Sequence, residues 1–503
     1  MIQLDGKSLT LEDFGRVAHG RATCGLAPEA RERVARARAL IEQLVADGET
    51  VYGVTTGFGD LASQHIPASQ TRILQERLLK SHAAGMGEPL PDPVVRGMLL
   101  LRASTLARGH SGVRPALIEL LLAFLQRDLL PVVPSRGSVG ASGDLAPLAH
   151  LALPLIGRGR VRLDGGEMPA AEGLARAGLE PLRLEPKEGL ALINGTQAMT
   201  SLTALAALEG RRLVKVADLV GALSTEALRG TDTAFDARLQ QLRPYPGQRL
   251  SAANLRRLMT GSEIRESHRH GDARVQDPYS IRCMPQVHGA VRDLLADVEA
   301  KLAVELNSVT DNPVVFPEEG EVVSGGNFHG EPIALAADVL ALAMAEIGAI
   351  SERRIEKLTN AHFSGLPAFL TEEPGLNSGF MLAQVTAAAL ASENKGLAHP
   401  ASIDSIPTSA DKEDHVSMGM GAALKLQRVV ENACRILAIE LLAAAQGIDL
   451  LRPLTSSPPL EALHRALRER VDKWSEDREM APDLARAEAF VAGEIDPHLT
   501  GLE

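Results

Sequence analysis

A mainly α-helical fold with minor short strands is what this sequence predicts, on three observations. Hydrophobic residues make up 45% of the chain and Ala and Leu dominate them, both strong helix formers. Aromatic residues amount to only 3%. Three long segments are Ala-rich and apolar on nearly every side, which implies a central bundle whose helices are buried all round.

The 503 residues are too many for one ordinary core. No Pro/Gly/Ser-rich linker separates independent domains, and the expected division is 1–195 and 196–503. The formal net charge of -12 argues against nucleic acid or an anionic membrane surface as partner. Cys24, Cys283 and Cys434 are too sparse for a disulfide framework and form no CxxC pair, which fits a reducing cytoplasm. The N-terminal stretch has acidic residues and no apolar core, so no signal peptide is expected. The longest apolar run, 333–350, is broken by Asp338 and Glu346, so no membrane span is expected.

In chain order, a short strand-like segment opens the protein, and PEARERVARARALIEQLVADG has helical spacing. Residues 51–59, VYGVTTGFG, are a Gly/Thr loop holding Tyr52, one of only three tyrosines. A helix over 68–87 ends near Ser81-His82, and 93–130 is strongly helical. GRVRLDGGEM and EPLRLEPKEG suggest short strands or surface loops. Asn194 precedes Gly195-Thr196 at a helix start, and a long helix runs to about residue 230. The stretch 231–286 is more polar. Its His268 and His270 have HxH spacing, but no third ligand is placed and Arg265, Arg269 and Arg274 would repel a cation, so no metal site is expected. Helical spacing returns from 287, is interrupted by a hairpin-like NPVVFPEEGEVVSGGN, and resumes over 331–358 and about 416–447.

The unusual stretch is GSVGASGD, residues 137–144, set between apolar segments. Without bulky side chains it can fold back tightly on itself. An exposed Gly nitrogen and a Ser able to lose water also permit backbone chemistry at Ala141-Ser142-Gly143. A tight turn explains an arbitrary Gly/Ser octapeptide equally well.

Seven blocks in order decide between these readings: YGVTTGFG (52–59), SHAAGMGEPL (81–90), GSVGASGDLAPLAH (137–150), NGTQA (194–198), VQDPYSIRCMPQ (275–286), DNPVVF…SGGNFHGEP (311–332) and IDSIPTSADKEDHVSM (403–418). With them the chain resembles, over essentially its whole length, the ammonia-lyases that build a 4-methylidene-imidazole-5-one group. The resemblance implies a fumarase/aspartase-like long helical bundle, an N-terminal helical domain bearing the ring, and a homotetramer with sites shared between subunits. It implies that Ala141, Ser142 and Gly143 cyclise autocatalytically, with no external cofactor, and that Asp144 and Phe328 support the ring. By the same resemblance Tyr52 takes the β-proton and Tyr279 is a second site tyrosine, entering from a neighbouring subunit. Arg282 clamps the substrate carboxylate, and Asn194 and Gln276 orient substrate and ring.

Ser81-His82 resembles the histidine-specific version of the side-chain pocket, where relatives acting on tyrosine or phenylalanine carry other pairs. Glu413 matches a glutamate that would accept an imidazole N–H; against a phenyl ring it would be buried and poorly satisfied. Both imply L-histidine as substrate, with trans-urocanate and ammonia as products. Asp411-Lys412 departs from the Asn-Gln common before that glutamate. The alternatives are the same chemistry on tyrosine or phenylalanine, an aminomutase, a lyase without the ring, and an inactive helical scaffold.

Overall fold

The computed structural model describes residues 1–272 and 274–503, and twenty α-helices are formed among them. The chain divides into two compact units, each drawn from three stretches. The first comprises Met1–Leu205, Glu299–Asp338 and Pro400–Leu424; the second comprises Ala206–Val298, Val339–His399 and Lys425–Glu503. Residues 1–195 lie wholly within the first.

The first unit is built on helices with buried apolar faces and a few short strand pairs. Asp92–Ala107 starts on Pro93, whose missing N–H costs nothing in a first turn. It buries residues on almost every side, among them Met98, Leu99 and Leu100. Gly109 and Gly112, both at positive φ, break the chain before the next helix, Pro115–Gln126. Met86–Pro89 pairs antiparallel with Pro134–Arg136. That pairing lays the segment after His82 beside the approach to the 137–144 loop, where Gly85 N–H donates to His150 Nε2 at 3.0 Å. Arg160–Leu163 and Gly166–Pro169 form a hairpin, as do Val314–Phe316 and Glu321–Val323. EPLRLEPKEG forms no strand.

The longest helices are Gln197–Ala227, Met284–Glu305, Glu331–Thr359 and Gly419–Leu450, and the second unit holds the greater part of each. Leu213, Val220, Ile347 and Leu437 are among their fully buried residues. Glu331–Thr359 is long and apolar enough to cross a membrane by length and composition, yet 67% of its most apolar window is buried inside the protein. Within the second unit, buried Arg354 pairs with buried Glu440, whose oxygens also accept from Ser224 and Ser351.

The polar stretch 231–286 holds more helix than its composition suggests, including Pro246–Met259. Met381–Leu397 is a further helix without a sequence signal: Ala383, Ala387 and Asn394 are its only buried residues, so no apolar stripe marks it.

Candidate active site

The 137–144 loop is held in shape from several sides. Gly143 has φ +72°, and a Cβ there would lie 2.2 Å from the Gly195 carbonyl oxygen, so only glycine fits. Gly140 also has positive φ, and Ser417 Oγ donates to its carbonyl at 3.1 Å. Met418 N–H donates to the Val139 carbonyl at 2.8 Å.

Asp144 is fully buried and ties the loop to the start of a long helix. Its Oδ2 accepts the N–H groups of Ala198 and Met199, each at 2.9 Å, at the start of Gln197–Ala227. Its Oδ1 accepts from Ser138 Oγ at 3.1 Å, and its own N–H donates to the Gly195 carbonyl at 2.7 Å. An anion at a helix N-terminus is well placed. Burial nevertheless pushes this carboxyl up to about 6, because desolvation outweighs those donors.

Ser142 faces a cavity of about 630 Å³ whose wall also includes Tyr52, Ser81, His82, Asn194 and Glu413. Each arrives from a different local structure. Tyr52 sits in the Gly/Thr turn, its phenol oxygen accepting the Gly59 N–H at 3.0 Å; that donor fixes the ring and would stabilise negative charge on the oxygen. Ser81 and His82 end helix Thr71–His82. Ser81 Oγ lies 3.0 Å from His82 Nδ1. Burial lowers the His82 pKa, while the Glu413 charge opposes that shift. Glu413 is oriented by Thr408, whose hydroxyl donates to it at 2.6 Å. Asn194 Nδ2 donates to the Asn312 carbonyl at 3.3 Å, and its buried Oδ1 has no partner among the described residues.

Ala141 and Gly143 are buried on either side of Ser142. Phe328 is half-buried in the loop before helix Glu331–Thr359 and is absent from the cavity wall. Gln276, Tyr279 and Arg282 belong to the second unit and do not line this cavity. Their segment is anchored by Asp277, which accepts the Thr231 N–H at 2.6 Å, and by the Ser280 carbonyl, which accepts from Arg354 at 3.4 Å. Gln276 is exposed, Tyr279 is 70% exposed, and the Arg282 guanidinium stacks 4.6 Å from the Tyr279 ring centre. His268 Nε2 donates to the Gly230 carbonyl at 3.2 Å.

Sequence reasoning overlooked Arg102. It is fully buried, donating to the Asn194 carbonyl at 2.8 Å and to Gln197 Oε1 at 3.1 Å. Buried Lys187 pairs with Asp311 at 2.7 Å beside Asn312. These cations hold the turn that carries Asn194. A charge inside the apolar run VVRGMLLLRAS was the available signal for Arg102.

Residues 9–469 match the family model described as aromatic amino acid lyase. The chain belongs to the aromatic amino acid lyase family. Within that family it is 56% identical to the histidine ammonia-lyase of Anaeromyxobacter sp. (strain K), over 97% of this chain and 98% of that one. It is equally 56% identical to the histidine ammonia-lyase of Deinococcus radiodurans, over 97% and 93%. Among solved structures, histidine ammonia-lyase from Trypanosoma cruzi superposes with a TM-score of 0.92 at 45% identity, covering 99% of this chain and 94% of that one. Tyrosine aminomutase from Streptomyces globisporus superposes with a TM-score of 0.95 at 40% identity, covering 100% and 98%. The mainly helical lyase fold of the family is the fold of this chain.

Proposed function

We propose that the chain removes ammonia from L-histidine to give trans-urocanate, at a site built around a 4-methylidene-imidazole-5-one ring formed from its own Ala141, Ser142 and Gly143. The observation that carries this reading is that Ser142 shares one cavity with His82 and Glu413. The backbone fits ring formation. Positive φ at Gly140 and Gly143 and the side-chain-free approach to Gly195 fold the tripeptide tightly, as closure of the Gly143 nitrogen onto the Ala141 carbonyl carbon requires. Closure and dehydration together release two waters, one of them from Ser142. The ring supplies an electrophile that turns the substrate amine into a better leaving group.

The chain's own residues do the rest. Tyr52 accepts the β-proton, its oxygen steadied by the Gly59 N–H. Glu413 accepts an N–H of the substrate imidazole, and His82, kept neutral by burial, lines the same pocket. Asn194 Oδ1, without a partner among the described residues, accepts from the substrate. Asp144 and Phe328 support the ring. Arg282 holds the substrate carboxylate as a bidentate pair, with Gln276 and Tyr279 beside it. Exposure of Gln276 and Tyr279 on an anchored segment supports their delivery to a neighbouring subunit's cavity, in a cytoplasmic homotetramer.

The test is urocanate formation followed by ultraviolet absorbance, with wild type and Ser142→Ala. Wild type should turn over L-histidine and weigh two waters less than its sequence, and the variant should do neither. Undiminished activity in the variant overturns the mechanism. Cinnamate or coumarate from L-phenylalanine or L-tyrosine, with no urocanate from L-histidine, overturns the substrate.

A further inference from the structure

Two loops that carry candidate site residues also carry a second cluster. His329 follows Phe328, Glu331 opens helix Glu331–Thr359, and His415 lies two residues after Glu413. Each of His329, Glu331 and His415 offers a ligand atom, and the three atoms lie within 4.8 Å of one another. The two imidazole rings are parallel to within 4°, their centres 5.8 Å apart.

His329 Nε2 lies 3.2 Å from the His415 carbonyl oxygen. A carbonyl only accepts, so the nitrogen donates. That selects one tautomer of the neutral ring and leaves Nδ1 with its lone pair. Ligating histidines commonly give their other N–H to a backbone carbonyl in this way. Glu331 Oε2 is shielded from solvent and has no hydrogen-bond partner among the described residues. A shielded carboxylate oxygen without a donor is costly.

We propose that His329, Glu331 and His415 bind one divalent first-row transition ion of the zinc class. Two imidazoles and a carboxylate suit zinc, cobalt or nickel; calcium and magnesium demand shells of oxygen ligands. Bonds of about 2.0–2.1 Å at tetrahedral angles set donor atoms about 3.4 Å apart. His415 is exposed, and a turn of its ring on ion binding would close the remaining distance. Three protein ligands leave a fourth position for water or an external ligand. Bound there, the ion ties the Phe328 loop to the Glu413 loop, and its binding does not depend on the ammonia-lyase reading.

The test is calorimetric titration of chelator-stripped, full-length protein with zinc sulfate, alongside cobalt(II) absorption spectra. Wild type should bind one zinc per chain at least tenfold more tightly than His415→Gln or Glu331→Gln, with a thermal midpoint raised by zinc in wild type and not in these two variants. Excess magnesium or calcium should not displace it. His270→Ala, in an exposed loop of the second unit, controls for adventitious binding and should match wild type. Should Glu331→Gln fail to fold, the exposed His415→Gln carries the comparison. Absence of stoichiometric binding, unchanged affinity in His415→Gln, or equal loss in His270→Ala overturns the proposal.

Discussion

Replacing Asp144 by Asn should change how stability depends on pH. The folded pKa of Asp144 is about 6, above its ordinary 3.8, so the folded chain holds that proton more tightly than the unfolded one. Stability contributed by the proton is full below the ordinary value and is lost as pH rises through the folded one. Between about pH 4.5 and about pH 7 that loss comes to about 2 kcal/mol, from the two titration curves. Asp144→Asn, with its amide oxygen in the Oδ2 position, keeps the acceptor for both helix N–H groups and cannot ionise. Other titrating groups cancel when the two proteins are compared. The stability advantage of wild type over Asp144→Asn should therefore shrink by about 2 kcal/mol across that window. Urea unfolding followed by circular dichroism, at several pH values and one protein concentration, measures it. An advantage that stays constant or grows with pH refutes the reasoning, because Asp144 would then be ionised throughout.

Three further predictions concern the same unit. Gly143→Ala forces a Cβ against the Gly195 backbone at positive φ; a left-handed alanine alone costs about 1–2 kcal/mol, and intact mass should show both waters retained. Loss of the two waters in that variant would show that the close approach to Gly195 is not needed for closure. Lys187→Met strands buried Asp311, so unfolding should become easier by about 3–5 kcal/mol, and Lys187→Met with Asp311→Leu should recover much of it; a single-variant cost under about 1 kcal/mol contradicts the burial argument. Glu413→Gln should lower kcat/KM for L-histidine by about tenfold or more, the loss of one charge-assisted hydrogen bond. Unchanged kcat/KM would place the imidazole elsewhere in the cavity.

The parts of this protein that were legible in its sequence are those whose physics is local. Long buried helices announce themselves by composition, and Gly140 and Gly143 mark a sharply folded loop because a Cβ at either would collide, with Ser417 Oγ and with the Gly195 carbonyl. Met381–Leu397 was invisible for the complementary reason: three buried residues in seventeen leave no stripe to detect. The candidate site is different in kind. Tyr52, His82, Ser142, Asn194 and Glu413 follow no shared periodicity, and only family resemblance joined them before the cavity did. What resemblance could not supply was the support beneath them. Arg102 holds Asn194 through its backbone carbonyl, a contact that any residue at 194 would offer, so no side-chain pattern records it. His329, Glu331 and His415 escaped for the same reason, since His415 stands 86 residues from His329. The segment with Gln276, Tyr279 and Arg282 shows the limit from the other direction. Asp277 and Ser280 point inward and are pinned, while Gln276 and Tyr279 are left in solvent. Rigid anchoring of exposed side chains fits the proposed assembly, in which a neighbouring subunit receives them.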